Sequence, residues 1–290
     1  MTHHPGNPRV AVVVGSGGLK CAASIGLWKV LVREHIEVGM TVGCSGGSIY
    51  ASALALGKDL AEIEQATLGF WTNDIMAGYA HNMKAAMSGE LKFDETSGLV
   101  DDALLMERIT GYFGDATFAD TRFPLYLVAT DFRTGEKVIL ESGRIVDAIR
   151  ASLAIPVIFR PWPVGDLLLT DGAASDPLPV DVAIKEGGQV IIAMGFELPY
   201  RARLRSMNAV TSHLNAIYMN NILRATYAFY NLVHHTEIIT IMPEFARSTS
   251  LLETEQLPYI IEQGVAAADE QIPYLRRLLD SVRQQNDSHA

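Results

Sequence analysis

Met40-Thr41-Val42-Gly43-Cys44-Ser45-Gly46-Gly47-Ser48-Ile49-Tyr50-Ala51-Ser52-Ala53-Leu54-Ala55-Leu56 is the stretch that decides the fold. The end of an apolar strand meets a serine with glycines two residues away on either side. An apolar helix follows and stops at Gly57. A serine on so sharp a strand-to-helix turn takes a strained backbone, which Gly43 and Gly47 tolerate because they lack a Cβ. The turn lifts the Ser45 hydroxyl above the sheet edge. It also sets Ser45 at a helix N-terminus, where N–H groups and the dipole favour negative charge.

Upstream, Arg9-Val10-Ala11-Val12-Val13-Val14 reads as a β-branched strand, and Gly15-Ser16-Gly17-Gly18 ends it before a helix from Leu19. The phosphate-loop spacing is absent. The dinucleotide pattern counted from Gly15 fails at Lys20, where its third glycine belongs. What remains is an anion-binding loop whose amides suit a phosphate or the oxyanion of a tetrahedral intermediate. Downstream, Asp166-Leu167-Leu168-Leu169-Thr170 is a strand-like run ending at Asp171-Gly172. Gly172 lets the chain fold tightly there, so the Asp171 carboxylate can face another loop. Backbone donors, an activated serine and an aspartate base each follow an apolar strand, and together they point to a serine hydrolase.

An α/β-hydrolase is the usual home of G-x-S-x-G, with its triad in the order Ser, Asp, His. His213, His234 and His235 follow Asp171, so that order is formally available. Only two strands precede Ser45, however, and the glycine loop follows the first of them. A Ser–Asp dyad needs no histidine, because a carboxylate within hydrogen-bond reach can take the serine proton.

Composition fits an enzyme of this kind. The 290 residues suffice for one α/β domain with a cap. A formal net charge of -10 argues against nucleic acid as a partner and against strong electrostatic docking on anionic membranes. Hydrophobic residues make up 49%, enough for a large core and an acyl pocket besides. No apolar run approaches the ~18 residues of a spanning helix, and Met1-Thr2-His3-His4-Pro5-Gly6 has no signal-peptide pattern, so a cytoplasmic location is expected. Cys21 and Cys44 suggest neither a disulfide framework nor a metal site, and no cofactor is expected. They read as buried small hydrophobes, or alternatively as a redox-sensitive pair beside Ser45.

Strands are expected at 9–14, 39–44, 124–131, 136–141, 166–171, 189–195 and 236–241. Helices are expected at 19–34, 46–57, 59–71, 102–112, 144–152, 179–186, 206–233 and 258–281. Alternation of this kind implies a mostly parallel sheet covered on both faces. The reading is one domain over residues 8–281, with a cap or lid at 72–101 and a frayed polar tail at 282–290.

Over most of residues 8–280 the chain resembles a bacterial patatin-like phospholipase. The resemblance rests on the glycine loop with Lys20 and Leu27-Trp28-Lys29-Val30-Leu31, and on Val42-Gly43-Cys44-Ser45-Gly46-Gly47-Ser48. It extends through Val128-Ala129-Thr130-Asp131 with Thr134-Gly135-Glu136, and Ala151-Ser152-Leu153-Ala154-Ile155-Pro156 with Phe159 and Pro161. Asp171-Gly172-Ala173 with Pro177-Leu178-Pro179-Val180 completes it. The resemblance implies a three-layer α/β sandwich, Ser45 as nucleophile, Asp171 as base, and amides of Gly17, Gly18 and Leu19 as the oxyanion hole. The implied substrate is a (lyso)phospholipid or related acyl ester, cleaved without a metal. Departures lie in the loop: the family commonly reads G-G-G-x-R-G, and here Ser16 and Cys21 replace glycines while Lys20 replaces arginine. Amide donation survives such changes, but bidentate anion binding by arginine does not.

Two segments look variable. Residues 72–101 carry Met76, Tyr79, Met83, Met87, Leu91 and Phe93, which suit a lid over an acyl chain or ordinary cap packing. In 206–233, apolar residues recur at three- and four-residue spacing. That helix packs on the sheet, or offers a homodimer face or a peripheral membrane contact; Arg201, Arg203 and Arg205 precede it. The alternative functions are a non-catalytic lipid-binding or regulatory module on the same fold, and a hydrolase of small esters or thioesters.

Overall fold

In the computed structural model, residues 9–200, 203–233, 237–246 and 253–289 are described. The elements run β1 (Val10–Val14), α1 (Ala23–Arg33), β2 (Met40–Cys44), α2 (Gly46–Ala55), α3 (Leu60–Phe70), α4 (Tyr79–Ser88), α5 (Ala103–Phe113), β3 (Leu125–Asp131), β4 (Lys137–Leu140), α6 (Ile145–Ser152), β5 (Trp162–Val164), β6 (Leu167–Asp171), α7 (Val180–Lys185), β7 (Val190–Met194), α8 (Met207–Val233), β8 (Glu237–Ile241) and α9 (Leu257–His289).

The apolar strands have no polar face because both faces are covered. Val10, Val12 and Val14 enter one core with α1, α2 and α9. Ala11 and Val13 enter a second core with Val180, Val182 and Ala183 of α7 and Leu223 of α8. In β7, Val190, Ile192 and Met194 likewise face the first core, and Ile191 and Ala193 the second. The result is helices, sheet, helices: the expected α/β sandwich.

The sheet order is β5-β6-β3-β2-β1-β7-β8, with β4 also paired to β3. Strands β3, β2, β1, β7 and β8 are parallel. β4, β6 and β5 attach antiparallel at the β3 side. This arrangement places the end of β6 among the C-terminal ends of the parallel strands, so Asp171 and Ser45 arrive at one edge from opposite chain directions.

Differences from expectation have local causes. β5 was not expected, because prolines flank Trp162; proline lacks an N–H and is tolerated on an edge strand such as this. The helix expected at 19–34 opens as a 3-10 turn over Gly18–Ala22. Segment 72–101 contains a 3-10 turn (Asn73–Met76) and α4. Its Met76 and Tyr79 pack against the core, while Met87, Leu91 and Phe93 are exposed. α9 passes the expected end at 281 and reaches His289, so the frayed tail expected at 282–290 is helical through 289. Val282 continues the buried helical spacing of Leu275, Leu278 and Leu279, which explains the extension.

α8 packs on one side only. Leu223 is buried, and the Asn220 amide clamps the backbone N–H and C=O of Leu198. Met207, Leu214 and Tyr218 are exposed, as are Arg203 and Arg205. Arg201, His234 and His235 lie outside the described residues. Among the described residues, no helix is long and apolar enough to cross a membrane.

Candidate active site

Ser45 sits between β2 and α2 with φ 52° and ψ -128°. A positive φ is costly for a residue with a Cβ and persists only where the surroundings enforce it. Here they do. The Ser45 N–H donates to Ser152 Oγ at 2.8 Å, and Ser152 Oγ donates to the Val128 carbonyl at 2.6 Å. Ser48 Oγ donates to the Ser45 carbonyl at 2.6 Å. A Cβ on Gly47 would stand 2.2 Å from the Val14 carbonyl oxygen, and one on Gly46 2.8 Å from the Gly18 nitrogen. The strained serine therefore rests directly on the glycine loop.

Ser152 is a site residue that sequence reasoning passed over, quoting it only as part of a motif. Its Oγ ties α6 to both β3 and Ser45. Removing it leaves a buried N–H unsatisfied, a cost of about 1–3 kcal/mol. Ser152→Ala is expected to lower kcat about tenfold to a hundredfold by displacing the elbow, with KM little changed. Steady-state kinetics on a chromogenic ester checks this; an unaltered kcat would dismiss the positioning role.

Asp171 closes β6 opposite Ala129 of β3. Its N–H donates to the Ala154 carbonyl at 2.9 Å, and Thr130 Oγ1 donates to its carbonyl at 2.9 Å. Oδ1 accepts the Ala173 N–H at 2.8 Å, and Oδ2 accepts Ser45 Oγ at 2.6 Å. Gly172 is required beside it: a Cβ there would meet the Val128 carbonyl oxygen at 2.2 Å. Asp171 is 3% exposed and Ser45 6%. Burial pushes the Asp171 carboxyl up to about 6, against the hydrogen bonds from Ser45 and Ala173, which favour the anion.

In the loop, the N–H groups of Gly15, Ser16 and Lys20 donate to Met194, Pro177 and Gly17 carbonyls. Gly17, Gly18 and Leu19 head the 3-10 turn, where the first N–H groups have no helical acceptor. Lys20 turns aside: its Nζ donates to the Glu197 carbonyl at 3.0 Å and lies 5.4 Å from the Phe245 ring centroid. Burial lowers its pKa. Lys20 thus fastens the loop to the segment after β7 and does not project at Ser45 and Asp171.

Cys21 Sγ donates to the Gly15 carbonyl and Cys44 Sγ to the Asp176 carbonyl. Both thiols are buried, and burial pushes both well above the usual range. They remain thiols, the less reactive form, which favours the reading as small buried side chains. The carboxyl oxygens of Asp171 are occupied by Ser45 and Ala173, and His213 stands on α8 against the Tyr200 ring. Among the described residues, no group of three or more His, Cys, Asp or Glu is placed to hold a metal ion.

Segment 72–101 joins this site through its backbone. Leu99 and Val100 N–H groups donate to the Val157 and Ile158 carbonyls, at the end of the segment that carries Ser152 and Ala154. Asp102 pairs with the buried Arg150 of α6, with Nε to Oδ2 at 2.7 Å. No sequence signal singled out this pair.

The profile described as Patatin-like phospholipase matches residues 12–184. An uncharacterised NTE family protein of Mycobacterium tuberculosis (strain ATCC 25618 / H37Rv) is 26% identical over 226 residues, 78% of this chain and 59% of the relative. The chain therefore spans little more than half of that relative's length. Among solved structures, VipD from Legionella pneumophila aligns with a TM-score of 0.54 at 16% identity, covering 95% of this chain and 67% of VipD. Human GIVD cytosolic phospholipase A2, in complex with methyl gamma-linolenyl fluorophosphonate, aligns with a TM-score of 0.51 at 13% identity, covering 97% and 60%. These likenesses show the shared fold.

Proposed function

Because the chain belongs to the patatin-like phospholipase family, we propose that it is a serine hydrolase of lipid acyl esters with Ser45 as nucleophile and Asp171 as its base. The observation that carries this reading is the 2.6 Å hydrogen bond from Ser45 Oγ to Asp171 Oδ2, made on a strained turn at the head of a helix. As Ser45 Oγ attacks the ester carbonyl, Asp171 Oδ2 takes the hydroxyl proton. Charge develops on the carbonyl oxygen, where the amides of Gly17, Gly18 and Leu19 receive it; one such donor is typically worth ~3 kcal/mol of barrier. Asp171 returns the proton to the leaving alcohol, and an acyl-enzyme remains. Water then attacks the acyl carbon with its proton taken by Asp171, the bond to Ser45 Oγ breaks, Asp171 returns that proton to Oγ, and the fatty acid leaves. The favoured substrates are (lyso)phospholipids or related acyl esters, met at a lipid surface from the cytoplasm.

Labelling with an acyl-chain fluorophosphonate, read by intact mass, tests the reading. One adduct is expected on the wild-type protein; none on a folded sample would remove the activated serine. The pH dependence has a defined sign. Asp171 acts only as the anion, so labelling and turnover are expected to rise with pH through about 6 and then level off. A rate already flat from pH 4.5 to 8 would show that Asp171 is not the base.

A further inference from the structure

At the N-terminal edge of the sheet, opposite the dyad, a cleft of about 680 Å³ opens where β1, β2 and β3 begin. Val10, Gly39 and Pro124 mark those strand starts, whereas Ser45 lies at the far end of β2. One strand length, roughly 15 Å, separates the two ends. We propose that this cleft binds an amphiphilic organic anion: one carboxylate or phosphate group on an apolar body. The proposal is independent of the hydrolase reading.

Charge is the first argument. Four cationic side chains line the cleft, Arg9, Lys58, Arg122 and Arg283, against a single carboxylate, Glu37. This occurs in a chain whose formal net charge is -10. Several cations elsewhere are matched: Lys29 with Glu64, Lys137 with Asp176 and Asp181, Arg150 with Asp102, and Arg224 with Glu197. Exposed Lys84, Lys92 and Arg133 are not matched among the described residues, and within the cleft Arg283 pairs with Asp280 at 3.5 Å. Among the described residues, Arg9, Lys58 and Arg122 have no carboxylate in ion-pair contact. Arg9 Nη1 donates to the Glu186 carbonyl, Lys58 Nζ lies 5.2 Å from the Tyr112 ring centroid, and the Arg122 guanidinium packs over Gly57. Helix C-termini attract cations, and the ends of α1 and α2 lie at this edge. That accounts for Lys58, just past α2. Arg9 likewise meets the Glu186 carbonyl that ends α7, and the Arg122 N–H meets the Ala55 carbonyl that ends α2, so all three cations stand at helix ends with no carboxylate in ion-pair contact among the described residues. Like charges gathered in a concave site repel one another and focus a field that an anion relieves.

The second argument is the wall. Trp28 and Phe123 stack with centroids 6.0 Å apart, and Leu54 and Leu279 join them in lining the same cleft. A volume in this range suits a small organic ligand, and an apolar wall with few polar groups is the usual lining of such sites. A bare inorganic anion would leave that wall unused. The cations choose the head, and the aromatic pair chooses the body.

Trp28 serves as the reporter. In Ser45→Ala protein, which carries out no ester chemistry, decanoate and decyl phosphate are titrated below their micelle concentrations, beside decanol and inorganic phosphate. Saturable change in tryptophan emission is expected for at least one decyl anion, and the tighter of the two identifies the head group. Decanol and inorganic phosphate are expected to bind at least about tenfold more weakly. Lys58→Glu/Arg122→Glu protein, its fold checked by circular dichroism, is expected to lose about tenfold or more in affinity. Arg122→Gln, which only deletes a charge, is expected to lose less in the same direction. Trp28→Phe is expected to silence the emission change while calorimetry still detects binding. Equal affinity in the charge variants, decanol binding as tightly as the anions, or no saturation by either anion would each overturn the proposal. None of these outcomes depends on whether Ser45 labels with a fluorophosphonate.

Discussion

Ser45→Ala and Asp171→Asn are each expected to lower ester turnover by about 10⁴-fold or more, because a nucleophile and its base act as one unit. Fluorophosphonate labelling should vanish in Ser45→Ala and slow strongly in Asp171→Asn. The asparagine still accepts the Ser45 hydrogen bond that the carboxylate accepts at 2.6 Å, but it cannot hold the proton at neutral pH. Substantial turnover in either variant would end the dyad assignment. The two variants are expected to differ in stability. A carboxyl raised by burial to about 6 binds its proton more tightly folded than unfolded. Its stabilising contribution is therefore complete below about pH 4 and is lost as pH rises through about 6. At pH 7 the buried anion costs the fold on the order of 3 kcal/mol. Asp171→Asn removes that charge, so the inactive protein is expected to melt higher than wild type at pH 7, with the difference shrinking towards pH 4. Thermal unfolding at the two pH values reads this directly. The site would then be a place where activity is kept at the expense of stability.

Asp102→Ala is expected to destabilise the protein by about 3–5 kcal/mol, since it strands a buried guanidinium. Arg150 is fully buried. Its Nε and Nη2 face Asp102, Nη2 donates to the Arg160 carbonyl, and the Phe159 and Trp162 rings lie 5.5 and 5.0 Å away. Nη1 has no hydrogen-bond partner and Asp102 is the only carboxylate in ion-pair contact with Arg150 among the described residues; Asp102 Oδ2 also lies 3.7 Å from Arg160 Nε. Burial already lowers the Arg150 pKa. For a chain of this length the loss corresponds to roughly 5–8 °C in Tm. Asp102→Ala/Arg150→Met is expected to recover much of it, because replacing a buried pair with apolar bulk is often neutral. Urea unfolding of the single and double variants checks both statements. A single variant within about 1 kcal/mol of wild type would mean that water reaches Arg150.

Much of the site was legible in sequence because its parts are local. A strand, a glycine turn and a helix are contiguous at Gly15 and again at Ser45, and Asp171-Gly172 ends its own strand. Apolar runs of β-branched residues placed β1 and β7 in a sheet covered on both faces. What escaped depends on residues that meet only in space. Ser152 looks like any serine near a helix end until α6 docks under β3. Asp102 and Arg150 are charged residues in unremarkable helical sequence, and nothing local says that they are buried together. β5 was hidden by its prolines, which argue against a strand unless its edge position is known. The extension of α9 beyond 281 was carried by Val282 alone, within a tail otherwise rich in polar residues.

Asp171 enters the sheet on β6, antiparallel to β3, and meets Ser45 across 126 positions of chain. Contacts of such long separation form late, because the intervening loop must close before they are rewarded. A growing polypeptide that has completed β2 and α2 therefore carries a bent serine without a base. The proposed Ser45–Asp171 pair can form only after β3, α6 and β6 have docked. With Asp171 as the proposed base, a chain cut short before residue 171 is expected to be inert towards esters.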